Sequence, residues 1–220
     1  MRIFHIHSGC VQELAELPAQ LPAQGFVWIA CARPVFQARL AEIQARLQAL
    51  VGLQLVDLHV SDLLNAQLPS YYDYTSQYDL LVFRRLATAQ GDARGDEVAL
   101  AAAAPAPAES PARRTGPPVL RRIDTSPVGF AVFDQLLLTV HPADCAIRDA
   151  YAARLLATAP AASTNGEGRN NPAAGARVPT SPADLMLRVV NFMVDGYLDL
   201  RRELTRQLDH WQTELLKPRA

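Results

Sequence analysis

Two hundred and twenty residues, 50% of them hydrophobic and 20% charged, suffice for one large globular domain or two small ones, each with a proper core. A formal net charge of −1 and a pI near 6.5 exclude general nucleic-acid binding, which needs a basic face to neutralise phosphates. Three scattered cysteines, Cys10, Cys31 and Cys145, exclude a disulfide scaffold and suit a reducing compartment. The N-terminal MRIFHIHSGC has no signal-peptide pattern, and no run of about 18 apolar residues is present to span a bilayer, so a soluble cytosolic polypeptide is expected.

In chain order, RIFHI (2–6) reads as a strand with Arg2, Phe4 and Ile6 on one face. VQELAELPAQLPAQ (11–24) reads as a short helix broken by Pro18 and Pro22, because proline cannot donate the i→i−4 bond. FVWIACA (26–32) is continuously apolar, as befits a strand covered on both faces. Pro34 suits a helix start, and FQARLAEIQARLQALVG (36–52) sets Phe36, Leu40, Ile43, Leu47 and Leu50 at helical spacing before Gly52 ends it. DLHVSDLLNAQLP (57–69) reads as another short helix closed before Pro69, and YDLLVFRRL (78–86) as a strand. Between them, YYDYTSQY gathers Tyr71, Tyr72, Tyr74 and Tyr78, either as a packed connection or as an interface patch.

Residues 87–118 are rich in alanine and proline and too poor in large apolar groups to fold alone; a mobile low-complexity loop is expected. VGFAVFDQLLLTVH (128–141) reads as two strands joined by a tight hairpin at Asp134-Gln135, and HPADCAIRDAYAARLLATA (141–159) as a helix after a turn at Pro142. A flexible linker is expected over 160–181. SPADL then opens a long helix: Ser181 is a natural N-cap, Pro182 takes the first helical position, and Asp184 lies in the first turn where the dipole favours a negative charge. The expected architecture is α/β: an αβα sandwich with a mixed sheet over 1–159, a linker over 160–181 and a long projecting C-terminal helix over 182–216.

The long helix raises its own question. Over 185–216, about 48 Å at ~1.5 Å per residue, its apolar positions are Met186, Val190, Met193, Tyr197, Leu200, Leu204, Leu208, Trp211 and Leu215. Spacings alternate between three and four, close to a coiled-coil seam. In the C-terminal half that stripe is surrounded by Arg201, Arg202, Glu203, Arg206, Asp209 and Glu214. A single stripe wants a single partner. It either folds back on the sheet or pairs with a helix from another chain or from a continuation of this one.

Read together, FVWIACARP, LHVSDLLNAQLPSYYDYTSQYDLLVFRRL, VGFAVFDQLLLTVHPADC and LMLRVVNFMVDGYLDLRRELTRQLDHWQTELL occur in the order of the N-terminal cytoplasmic domain of CorA-type magnesium transporters, which this chain resembles over most of its length. The resemblance implies an αβα sandwich assembled as a homopentameric funnel in the cytoplasm of a plasma-membrane protein. A stalk helix, two transmembrane helices and a Gly-Met-Asn pore signature would lie C-terminal to residue 220, and none of these is in this sequence. On that reading the long helix looks unused because its partner helices are missing.

The resemblance also implies chemistry. Mg²⁺ keeps its waters and is held through one or two carboxylates. In the family an Asp on a short helix faces an Asp on the neighbouring subunit's stalk, with a regulatory divalent cation between them. By position in DLLN, Asp62 matches the first of these, a half-site whose partner would lie beyond Ala220; Ser61 stands where relatives often have an acid. Asp62 read without the resemblance is a solvated helix-surface carboxylate, and Asp57 is an N-cap. The ion is Mg²⁺, with Co²⁺ or Zn²⁺ as alternatives. The expected partners are further copies of the chain and a membrane, with no nucleic acid and no small-molecule substrate. Two other readings stand beside it: a zinc-transporting relative, and a free-standing soluble α/β protein that oligomerises through its last helix.

Elsewhere, HIHSGC sets His5 and His7 on one strand face with Cys10 in reach, a soft-metal set for zinc or else ordinary strand histidines beside a packed cysteine. His141 and Cys145 form an i, i+4 pair if helical, and His59 and His210 read as surface residues. There is no P-loop, no strand-coupled GxGxxG and no GxSxG, so no enzyme is expected.

Overall fold

The computed structural model describes residues 1–87, 124–143, 145–158 and 178–216. All but Ala87 of the loop expected over 87–118, and most of the linker expected over 160–181, lie outside the described residues. Among the described residues seven strands, β1 (Arg2–His7), β2 (Cys10–Leu14), β3 (Phe26–Ala32), β4 (Tyr71–Tyr74), β5 (Asp79–Leu86), β6 (Thr125–Val132) and β7 (Leu136–His141), form one sheet in the order β2-β1-β3-β7-β6-β5-β4. β3 and β7 run parallel at its centre, and every other neighbouring pair is antiparallel. Among the described residues the helices are α1 (Arg33–Ala38), α2 (Leu40–Val51), α3 (Asp57–Leu64), α4 (Ala146–Thr158) and α5 (Pro182–Leu216).

The period-2 alternation of the strands sorts side chains to two apolar layers. On one face Ile3, Val27, Ile29, Leu80 and Leu138 pack with Phe36, Ile43, Leu47, Val60 and Leu63 from α1, α2 and α3. On the other Phe4, Trp28, Phe130 and Leu137 meet Tyr151 and Leu155 of α4 and Leu185, Val189 and Met193 of α5. This is the expected αβα sandwich. Trp28 is 2% exposed, and its Nε1–H donates to Thr139 Oγ1 at 3.1 Å, so the buried indole has a partner.

The helix expected over 11–24 is not formed. β2 instead pairs antiparallel with β1 in a hairpin whose two loop residues, Ser8 (φ 39°) and Gly9 (φ 83°), both sit in the left-handed region. Two-residue loops of this conformation carry the right-handed twist of flanking strands, so the Ser-Gly pair outweighs the weak helical spacing after it. The single helix expected from Phe36 to Gly52 is two, broken at Arg39 (φ −110°, ψ 20°), and Gly52 does close α2 in the left-handed conformation. α3 ends at Leu64 rather than near Pro69, because Asn65 is extended and its Oδ1 accepts the Gln67 N–H at 2.9 Å. The 128–141 hairpin turns at Asp134-Gln135 as expected, with Phe133 N–H donating to Leu136 O at 2.9 Å. His141 belongs to β7, and the helix starts only at Ala146.

The start of α5 is built as its sequence dictates. Ser181 Oγ accepts the Asp184 N–H at 3.1 Å, Asp184 Oδ2 accepts the Thr180 N–H at 3.0 Å, and Arg188 pairs with Asp184 at 2.8 Å. Its 35 residues span about 52 Å at ~1.5 Å each. Leu185, Val189 and Met193 are buried, and Tyr197 OH donates to Arg84 O on β5 at 2.7 Å. No described residue after Met193 is buried. Of the stripe expected to find a partner, Leu208 is 60% and Leu215 84% exposed, so it does not fold back on the described sheet.

Candidate functional site

Asp62 and its surroundings are built from α3 and the edge strand β4. One side of α3 carries His59, Val60 and Leu63 into the core, leaving Leu58 and Ser61 exposed and Asp62 half-buried. At its end, the buried Arg33 guanidinium donates to Leu63 O at 3.3 Å and to Pro127 O at 2.8 Å. A C-terminal carbonyl of α3, which has no partner inside the helix, is thereby satisfied and the helix tied to β6.

Alternation along β4 points Tyr71 and Asp73 at α3 and Tyr72 and Tyr74 away from it. Each of the first two clasps one residue of the helix. Tyr71 OH donates to Asp62 Oδ2, and Asp73 Oδ2 meets His59 Nε2 at 3.1 Å. His59 and Asp62 are three apart, on neighbouring helical positions, so the two bonds form a two-point clamp. Behind it, His59 Nδ1 lies 2.7 Å from Tyr78 OH, whose oxygen accepts the Val56 N–H at 3.0 Å. One proton arrangement satisfies the whole chain: Tyr78 O–H donates to Nδ1, and Nε2–H donates to the Asp73 carboxylate. The His59 bond, aided by the Tyr74 N–H, holds the Asp73 carboxyl below the usual aspartate range. Burial, then the bond to Asp62, pushes the Tyr71 hydroxyl well above its ordinary value.

Some expectations need correction. His59 is not a surface residue: it is 3% exposed and bonded through both ring nitrogens, because α3 turns it inward beside Val60 and Leu63. Asp57 is not the N-cap. Val56 holds that position without a side-chain cap, and Asp57 is the first helical residue, where it meets the positive end of the dipole. The tyrosine cluster divides. Tyr71 and Tyr78 are the packed connection, whereas Tyr72 and Tyr74 are 59% and 71% exposed and stacked with 6.2 Å between ring centroids. His141 and Cys145 are not an i, i+4 helical pair; His141 is buried at the end of β7, its Nδ1–H donating to Pro142 O at 2.8 Å. The residues overlooked, His59, Tyr71 and Asp73, have a signal in retrospect. HxxD on a short helix followed by YxD on a strand sets two complementary pairs face to face.

The Tyr71 hydroxyl takes one acceptor position of the Asp62 carboxylate, which has about four. The rest is enough for a hydrated hard cation, which needs few direct protein ligands. Among the described residues no group of three or more His, Cys, Asp or Glu side chains converges as a ready ligand set.

No family model matches the chain, and no curated protein matches it in sequence. Solved structures do match in shape. The soluble domain of CorA from Methanocaldococcus jannaschii superposes with a TM-score of 0.54 at 16% identity, covering 97% of this chain and 64% of that one. The fold is that of the CorA soluble domain. The complete CorA magnesium transporter from the same organism gives a TM-score of 0.57 at 14% identity, over 100% of this chain and 52% of that one. The cytoplasmic domain of ZntB from Vibrio parahaemolyticus gives 0.53 at 12%, over 94% and 64%. The full-length CmaX protein gives 0.60 at 14%, over 100% and 53%. The chain thus spans between half and two thirds of the length of these structures, and no helix among the described residues is long and apolar enough to cross a membrane.

Proposed function

We propose that this chain is the cytoplasmic, ion-sensing domain of a CorA-type Mg²⁺ transporter, working as a homopentamer through membrane segments C-terminal to residue 220. The observation that carries the reading is the clamped carboxylate of Asp62 at the sheet edge of a CorA-type fold. Asp62 is one half of a regulatory site whose second carboxylate comes from a neighbouring subunit. Without an ion the two carboxylates repel across the interface. A divalent cation between them offsets that repulsion and shifts the population toward the closed form. When cytosolic Mg²⁺ falls, the ion leaves and the subunits loosen. Tyr71 holds the carboxylate in one orientation, and the His59–Asp73 pair keeps α3 against β4 while the site fills and empties. Transport and the choice among Mg²⁺, Co²⁺ and Zn²⁺ reside in the membrane part.

Mg²⁺ protection from proteolysis tests this reading in the intact protein in vesicles. Mg²⁺ protects the wild type, and Asp62→Asn moves the protecting concentration up by about tenfold or more, the equivalent of ~1.4 kcal/mol of lost ion binding. Equal protection of the two proteins removes Asp62 from the sensing role.

A further inference from the structure

Beyond the sandwich, the distal half of α5 presents a seam to solvent. From Leu198 through Arg201, Thr205, Leu208 and Gln212 to Leu215 the intervals are three and four in strict alternation, the a and d positions of a heptad repeat. Its leucines are bare: Leu198 is 45%, Leu208 60% and Leu215 84% exposed. Beside Leu198 lies an open hollow of about 490 Å³, walled by Arg201, Arg202, Thr205 and Arg206, where a side chain from a facing helix can enter. One flank of the seam carries the exposed Arg202 and Asp209, and the other the half-buried Leu204 and Trp211. Leucines lined up in this way on one helix mark a contact surface.

We propose that this half of α5 pairs antiparallel with the same half of a second copy of this chain, across a two-fold axis that passes between Thr205 and Leu208. Charge sets the direction. In a parallel pair every seam residue meets itself, so Arg201 faces Arg201 in the seam and the two cations repel. Turned antiparallel, Leu198 lies level with Leu215 of the second copy, Arg201 with its Gln212 and Thr205 with its Leu208, and the two-fold repeats each pairing. The Arg201 guanidinium then has the Gln212 side-chain oxygen as an acceptor. Flanks of like side meet in such a pair. Arg202 comes within two residues of the level of Asp209 of the second copy, about 3 Å along the axis, and Leu204 comes equally near its Trp211. Charge also sets the register. A slip of one heptad toward the sandwich brings Arg202 beside Arg202 and Asp195 beside Asp209. The pairing goes beyond the sensing reading, because α3 and Asp62 take no part in it.

Sedimentation equilibrium of the whole 220-residue chain tests the pairing. The mass is expected to rise with concentration from the 24.0 kDa of one chain to twice that value and no further. Leu208→Glu places a carboxylate in the seam and acts twice in a two-fold interface, so it raises the dissociation constant of the dimer about a hundredfold or more. Its circular dichroism at low concentration is unchanged, because Leu208 is exposed in the single chain. Arg202→Glu and Asp209→Arg each weaken the dimer by roughly fivefold. The two together exchange the charges and restore it, which a mere loss of helix stability does not do. Asp62→Asn and added Mg²⁺ leave the dissociation constant unaltered, so failure here is distinct from failure of the sensing reading. A chain that stays single at every concentration, an assembly larger than two, a dimer indifferent to Leu208→Glu, or a charge exchange that does not restore pairing overturns the proposal.

Discussion

Replacing Leu185 with alanine separates the part of α5 that belongs to the sandwich from the part that does not. Leu185 is 0% exposed, one turn into the helix, in the layer with Phe4, Trp28 and Leu155. Truncating a buried leucine removes transfer free energy and leaves a cavity, together about 3 kcal/mol within a range of ~2–5. For a domain of this size each kcal/mol moves Tm by about 2–4 °C, so Leu185→Ala is expected to lower Tm by roughly 6–12 °C. Leu208, on the same helix but 60% exposed, has little to lose. Leu208→Ala should stay within about 0.5 kcal/mol, less than ~2 °C. Thermal unfolding followed by far-ultraviolet circular dichroism at low protein concentration compares the two. Equal destabilisation would refute the reasoning, since it would mean that the distal half of α5 is packed as tightly as its start.

Thr139→Val keeps the shape of the side chain but takes the acceptor from the buried Trp28 N–H. A cost of about 1–3 kcal/mol is expected in urea unfolding, with an altered tryptophan emission, and an unchanged midpoint would show that the bond contributes nothing. His141 gives a pH dependence with a definite sign. Burial, reinforced by Arg148 and Arg85 and opposed by the Pro142 carbonyl and Asp149, pushes its pKa down to about 3 from an ordinary value of about 6.5. Above about pH 6.5 neither state is protonated and the stability is full. As pH falls toward 3 the unfolded chain takes up a proton that the folded chain refuses, so stability drops by up to ~1.4 kcal/mol per unit. His141→Gln should flatten this slope in urea titrations between about pH 6 and 4; an identical slope would assign the loss to other groups.

How much was legible depended on whether the deciding interaction was local. FVWIACA read as a strand covered on both faces because its apolar run is continuous, LLLTVH read as the second strand of a tight hairpin, and SPADL read as a helix start because cap, proline and acid all act within one turn. The β1–β2 hairpin was missed because Ser8-Gly9 is a two-residue signal, and the prolines downstream drew the segment toward a broken helix. At the candidate site Asp62 could be picked out by its place in a resemblance, but its clamp could not. Whether His59 points inward depends on where β4 brings Asp73, fourteen residues later, and an edge strand of four residues has too few positions to show its alternation. The buried Arg33 was hidden for the same reason: its partners, Leu63 O and Pro127 O, are 30 and 94 residues away.

The central claim is that this sandwich is the sensing part of a membrane transporter, and reading the source gene past the codon for Ala220 tests it most directly. The account predicts an open frame encoding a further long helix and two apolar runs of about 20 residues, with Gly-Met-Asn between them. A stop codon directly after Ala220 would contradict it and leave the kinship with CorA one of fold alone.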